Sequence, residues 1–438
     1  MKPNVYLILL DSLRSDTLLS ENKSCVTPNL DLLISKGTSF TNAFSTADHT
    51  GVSWLSLMRG IFPITDGINP YKFNSNIETF VKIFQSNGFK TSCFFPDISF
   101  FKILSEQFDN SIIYEYSNRD EYQEHKEKHF ENLLHTITTQ NSSNSHLTCI
   151  HLMDLKYPYL IPHEFNNENF GSNRQARMLS KLDNMLGKLI NSINLENSII
   201  IFSSDHGDYI PHTGKNLSEI PNIQKNLRKV KHKIPSLEPM GIKFFTLLQN
   251  IFKIINSIKY KKNFSELEQR GFLDRNEIFL YDDTFHVPIV FTGKNIPALE
   301  INKLVRHVDI FPTICGLLNL EFDETKTDGK NLSEIFHGNS INEISAYIES
   351  GPANENLQGK SIGIRNSKFK YFRSRFDKNS NVHLYDLQTD KNEQHNIAES
   401  LPKIVEIMEN ELSKFMNNNE KNKLKETINK NISKLKLD

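Results

Sequence analysis

Two apolar runs far apart in the chain end in the same way. NVYLILL, residues 4–10, stops at Asp11, and SIIIFSS, residues 198–204, stops at Asp205-His206-Gly207. Short runs this rich in Ile, Val and Leu read as parallel strands buried on both faces. Strands of one open sheet deliver their C-terminal ends to a shared crevice, whatever their separation in sequence. The pairing therefore predicts a wound α/β sheet with carboxylates gathered at one edge, and buried carboxylates that meet need a cation. Taken singly, Asp11 could cap a following helix, and Asp-His-Gly could be a surface turn.

The same alternation continues along the chain. TPNLDLLISKG reads as a helix with Pro28 at its first position and Gly37 at its C-cap. LTCIHLMD is a strand, RMLSKLDNMLGKLINSI an amphipathic helix, and VPIVFTG a strand followed by a helix at DIFPTICGLL. From 210 to 278 the pattern breaks into a lysine-rich insertion, read as a lid-like excursion. It holds one apolar stripe, residues 242–258, which could lie on a membrane surface but more often packs on its own domain. AYIES, SIGIRNSKFKYFRSR and HLYDL predict a small antiparallel sheet. The division expected is 1–340 catalytic, 341–415 C-terminal, and 416–438 a frayed Asn/Lys-rich tail.

Composition narrows the partners. Fifty-one basic and 52 acidic residues leave a formal charge of −1, which gives no bias toward nucleic acid or anionic membranes. The four cysteines lack CxxC spacing and predict neither a disulfide framework nor a thiolate metal site. The N-terminal apolar stretch is short for a signal peptide, and no run reaches the roughly 18 residues of a spanning helix, so a cytoplasmic location is expected.

ADHTGVSWLSLMRG starts a helix, where backbone N–H groups converge on an anion. A hydroxyl there, at Thr50, coordinated to a cation, can attack a sulfuryl or phosphoryl centre; the plainer role is an N-cap. Lys156 in MDLKYPY suits an anion contact. His286 and His307, at strand and helix starts, suit anion binding or protonation of a leaving oxygen, though a histidine in such a place is more often structural. His212 and Lys215 follow the Asp-His-Gly turn closely enough to join them.

Together these landmarks resemble the sulfatase family of the alkaline phosphatase superfamily over nearly the whole chain. NVYLILLDSLRSD is similar to that family's first strand and acid, SSDHGD to its later metal-binding strand, and HLYDLQTDKNEQHNIAE to its closing subdomain. The resemblance implies a large, mostly parallel sheet between helices with a small C-terminal antiparallel subdomain. It also implies one divalent ion, Mn²⁺, Zn²⁺, Ca²⁺ or Mg²⁺, held by Asp11, Thr50, Asp205 and His206, with Thr50, Lys156 and His286 catalytic. The substrate implied is an anionic ester of a small molecule, saccharide or lipid-like alcohol.

Two departures bear on the reaction. The family motif C/S-x-P-S-R falls on Thr50, Gly51, Val52, Ser53 and Trp54. Threonine cannot give the formylglycine aldehyde, and Thr50 matches the unmodified threonine of superfamily members that cleave or transfer phosphodiesters and phosphonates. Ser12 stands where many sulfatases have a second aspartate, and Asp183 is followed four residues later by Gly187, where two-zinc relatives place a histidine. Sulfate-ester hydrolysis is the reading of the whole resemblance; phosphodiester or phosphonate chemistry, or a pseudoenzyme that only binds metal, are its alternatives.

Overall fold

A computed structural model describes residues 2–66, 69–74, 76–116, 122–139, 144–156, 159–209, 270, 279–352 and 359–416. The insertion apart from Arg270, with its apolar stripe, His212 and Lys215, and the tail after 416 lie outside the described residues.

Ten strands precede the C-terminal sheet: β1 (Asn4–Leu10), β2 (Thr38–Phe40), β3 (Ala43–Phe44), β4 (Lys90–Pro96), β5 (Asn110–Tyr114), β6 (His146–Leu152), β7 (Ser198–Ser204), β8 (Ile289–Gly293), β9 (Leu299–Ile301) and β10 (Val305–Arg306). Eight of them form one sheet in the order β5-β4-β6-β1-β7-β8-β2-β9. The first five in that order run parallel, whereas β8 is antiparallel to both β7 and β2. A mostly parallel sheet is what the sequence predicts; the reversed β8 is not visible in VPIVFTG, because a run buried on both faces carries no directional signal.

β1 shows why a continuous apolar run is needed. Val5, Leu7 and Leu9 pack on the face that carries Trp54 and Leu57 of the Thr50–Arg59 helix. Tyr6, Ile8 and Leu10 pack on the face that carries Leu179, Leu182 and Leu186 of the Arg174–Asn191 helix. With both faces covered, alternation of polar and apolar residues disappears. β1 sits between β6 and β7, so the C-terminal ends of three adjacent parallel strands open into one crevice.

Two glycines are required by close approach. Gly37 follows the Pro28–Ser35 helix, as expected, yet its backbone is not left-handed. A Cβ there would lie 2.2 Å from the Phe291 carbonyl oxygen on β8, and one on Gly207 would lie 2.2 Å from that of Asp283.

The C-terminal sheet is the meander β11 (Ala346–Glu349), β12 (Ser361–Arg365), β13 (Phe369–Ser374) and β14 (His383–Asp386), antiparallel throughout. One face is covered by Met408 and Leu412 of the Pro402–Phe415 helix. Through Ile348, Phe372 and Tyr385 the other packs against Phe44, Leu280 and Phe285 of the main body. Asp183, which invites comparison with a metal ligand, accepts hydrogen bonds from the backbone N–H groups of Asn29 and Leu30 and so fixes the start of the Pro28–Ser35 helix. A Cβ on Gly187 would run into the Asn29 side chain, which closes the same contact.

Candidate active site

Asp11 and Asp205 meet at the ends of β1 and β7, both fully buried. Ser204 ties the two strand ends together: its Oγ accepts from Leu13 N at 2.8 Å and lies 2.6 Å from the carbonyl oxygens of Leu10 and His206. Ser12 completes the turn in a left-handed conformation, φ 67°, a strain that persists in folded proteins only where the surroundings impose it. In that conformation its N–H donates to Asp205 Oδ1 at 3.1 Å while its hydroxyl donates to Asp11 Oδ1. Ser12 thus grips one oxygen of each acid and leaves the Oδ2 atoms to face the crevice.

Thr50 is the first residue of its helix, with His49 at the N-cap position. Its hydroxyl lies 3.2 Å from Asp11 Oδ2 and 3.3 Å from His206 Nε2. His206 Nδ1 is 2.8 Å from the Gly207 carbonyl oxygen, which makes Nδ1 the protonated nitrogen and leaves the Nε2 lone pair toward Thr50. Lys156 Nζ stands 3.8 Å from Asp11 Oδ2. Asp11, Thr50, Lys156, Asp205 and His206, all singled out in the sequence, therefore converge.

His286 and His307 do not join them. The ring of His286 stacks on Phe44 at 5.1 Å, and its Nε2–H donates to the Thr41 carbonyl at 2.8 Å, so it is engaged within the main body. His307, fully buried, lies between Ser53 Oγ at 3.1 Å and Ser203 Oγ at 3.3 Å. Burial drives it down to about 3, helped by the nearby His206, so it stays neutral. Ser53 Oγ in turn donates to the Asp205 carbonyl, so His307 braces the Thr50 helix against the β7 end.

Sequence reasoning missed His151. It occupies the second-to-last position of β6, opposite Leu9 of β1, and its Nε2 is 3.9 Å from Asp11 Oδ2 and 4.0 Å from Asp205 Oδ2. The signal was an imidazole in an otherwise apolar strand end, LTCIHL, beside the strand that carries Asp11.

The acids are under electrostatic stress. Burial first, and then the neighbouring Asp11, push Asp205 up to about 6. Asp205 Oδ2 is buried with no hydrogen-bond partner among the described residues. An orphaned carboxylate oxygen beside a second acid is the setting a divalent cation would resolve. Asp11, His151 and Asp205 each bring one ligand-type atom within 4.8 Å of the others. Oxygen from Asp11, Asp205 and Thr50 with nitrogen from His206 is a donor set that fits one divalent ion.

Comparison with known proteins agrees. The Sulfatase family model matches residues 3–320, and one described as N-sulphoglucosamine sulphohydrolase, C-terminal, matches residues 268–426. Arylsulfatase K of Rattus norvegicus is 22% identical over 450 residues, spanning 95% of this chain and 78% of that protein. A protein solved in complex with its substrate D-glucosamine-2-N,6-O-disulfate has the same fold, with a TM-score of 0.66 at 14% identity over 95% of this chain and 99% of that one. The phosphonate monoester hydrolase of Agrobacterium radiobacter gives a TM-score of 0.66 at 14% identity over 94% and 95%. With the family pattern running from the first strand through the helix after β10, and two buried acids, an imidazole and a hydroxyl at its crevice, the chain belongs to the sulfatase family of the alkaline phosphatase superfamily and is a hydrolase of sulfate esters.

Proposed function

We propose that the chain hydrolyses sulfate esters of saccharide-like alcohols with Thr50 as nucleophile. The observation that carries this is the Thr50 hydroxyl, 3.2 Å from Asp11 Oδ2 and 3.3 Å from His206 Nε2, at a helix N-terminus. A saccharide is suggested by the D-glucosamine-2-N,6-O-disulfate bound to a protein of this fold.

Asp11, Asp205, His206 and Thr50 would hold one divalent ion, with Mn²⁺, Zn²⁺, Mg²⁺ and Ca²⁺ all compatible with oxygen and nitrogen donors. Such an ion, when bound, offsets the two carboxylates and lowers the pKa of a coordinated hydroxyl. Thr50 passes its proton toward the Asp11 carboxylate as its oxygen bonds to sulfur, since the one lone pair of His206 Nε2 would be taken by the ion. The S–O bond to the alcohol breaks in line, the alcohol departs with a proton, and a threonyl sulfate remains. Water then cleaves that ester, returning the Thr50 hydroxyl and releasing sulfate. Lys156 supplies a point charge to a sulfate oxygen; the clamp is drawn without His286, whose ring is engaged elsewhere. Four cysteines, all buried and unpaired, favour a reducing compartment such as the cytoplasm.

A second reading, hydrolysis of phosphonates or phosphodiesters, is favoured by Thr50 itself, which cannot give the aldehyde, and by the likeness to a phosphonate monoester hydrolase. Steady-state hydrolysis of an aryl sulfate, an aryl phosphodiester and an aryl phosphonate, with each of the four metals, separates the two. Thr50→Ala should lower the preferred activity by on the order of 10⁴-fold, and the quenched enzyme should carry its ester on Thr50. Sulfatase activity that survives Thr50→Ala would remove the nucleophile assignment, and silence on every ester and metal would leave a metal-binding pseudoenzyme.

A further inference from the structure

His151 is absent from the ligand set above, although its ring reaches the same two carboxylates. What decides its role is the group behind it. Trp54, fully buried, points its indole N–H at His151 Nδ1 at 3.2 Å. An indole nitrogen only donates, so Nδ1 must be the acceptor. A neutral imidazole that accepts at Nδ1 carries its proton on Nε2. The neighbour of Nε2 agrees, since the Met153 sulfur at 3.1 Å is an acceptor. The ring cannot turn away: it is stacked on Phe101 at 4.8 Å and meets Trp54 edge to face at 5.5 Å.

We propose that Trp54 locks His151 as the Nε2–H tautomer, so that His151 is a hydrogen-bond donor that positions Asp11 and Asp205 around the ion and is not itself a ligand. A ligand nitrogen needs a lone pair, and here that position carries a proton. From 3.9 and 4.0 Å, the N–H reaches either Oδ2 with an approach of about 1 Å. Donors of this kind orient metal-binding carboxylates in protein sites. The family motif has arginine at position 54; this chain has there a neutral donor acting through a second ring. The proposal rests on the ion site of the preceding section.

The test uses the full-length protein and Zn²⁺ as probe. Long-range ¹H–¹⁵N spectra of the histidine rings, with His151→Gln to assign the signal, should show His151 protonated at Nε2 both metal-free and zinc-loaded. Zn²⁺ affinity is read by competition with a chromogenic chelator. His151→Leu should weaken it about 10- to 100-fold, and His151→Gln, whose amide can donate from nearly the same place, should recover most of that loss. Trp54→Phe frees Nδ1 to take the proton, which lets Nε2 bind the ion, and should tighten Zn²⁺ binding by about tenfold or more. A zinc-loaded wild-type protein protonated at Nδ1, or Trp54→Phe that weakens Zn²⁺ while His151→Gln is no better than His151→Leu, overturns the proposal alone. A chain that binds no Zn²⁺ at Asp11 and Asp205 overturns it together with the ion site, and the metal-free spectrum tells the two failures apart.

Discussion

The molecule buries two clusters of charge, and they are built on opposite terms. At the strand ends, Asp11 and Asp205 share a buried crevice whose one nearby lysine or arginine, among the described residues, is the partly exposed Lys156, and Asp205 Oδ2 has no hydrogen-bond partner among those residues. Where the C-terminal sheet meets the body, Asp282 is held by Arg365 at 3.1 Å and Lys370 at 2.6 Å. Lys370 also reaches Glu393 at 2.7 Å, and Asp283 sits between Arg14 and Arg270. Burial penalises acids in both places. At the interface it would raise Asp282, but Arg365, Lys370 and His286 together pull it well below the usual carboxylate range, while burial and the neighbouring Asp282 push Glu393 up to about 7 against the pull of Lys370. In the crevice the described residues set only Lys156 against the two acids, and Asp205 rises to about 6. Paired charges glue two layers together; two acids that meet beside one partly exposed lysine leave work for something from outside.

That contrast predicts opposite responses to the same chemical change, and the interface should suffer most. Asp282→Asn leaves the buried Arg365 without its carboxylate and Lys370 with Glu393 alone. It should cost about 3–5 kcal/mol in urea unfolding, or prevent folding. A loss below about 1 kcal/mol would mean that the sheet is held by Phe372, Tyr385 and Ile348 alone and that the charges there are incidental.

The two clusters also differ in how far the sequence betrays them. Asp11, Asp205 and His206 were legible because each ends an apolar run, and the topology of a parallel sheet brings such ends together without further information. Thr50 was legible as a hydroxyl at a helix start. The interface pairs were not, since Asp282 and Lys370 come from separate elements whose docking no local pattern encodes. For the same reason His286 and His307 looked like site residues: their positions at element starts are right, but ring direction depends on Phe44 and Thr41 in one case and on Ser53 and Ser203 in the other. His151 was missed for the converse reason, lying inside a strand and reaching the site across the sheet face.

His307 sharpens the comparison through pH. It is buried neutral, at about 3 against an ordinary 6.5, so the unfolded chain takes up its proton first as pH falls. Stability from this group is whole above pH 6.5 and drains away toward pH 3. Between pH 7.5 and pH 5 the drain is about 2 kcal/mol. His307→Asn, which can still hydrogen-bond both serines, should flatten that part of the stability–pH curve. An unchanged slope would place the titration elsewhere, His383 being the next candidate at about 4.

Asp205→Asn should do in the crevice the reverse of Asp282→Asn at the interface. The amide keeps an oxygen for the N–H groups of Ser12 and His206, removes a buried charge, and offers Asp11 a donor. Metal-free protein should gain on the order of 1–2 kcal/mol while losing the stabilisation that added Zn²⁺ or Mn²⁺ gives the wild type. A destabilised metal-free variant would mean that the Asp205 charge is already answered, and the two clusters would then be alike.

The smallest effect concerns the residue that grips both acids. Ser12 adopts φ 67°, which costs a side chain roughly 1 kcal/mol and glycine almost nothing. Its hydroxyl bond to Asp11 is lost in either Ser12→Gly or Ser12→Ala, so comparing the two variants cancels that contact. Ser12→Gly should be the more stable by about 1 kcal/mol, and both should bind the ion more weakly than wild type because Asp11 Oδ1 is released. If alanine is as stable as glycine, the turn relaxes without its serine, and the left-handed backbone is a consequence of the grip on Asp11 and Asp205, not the frame that provides it.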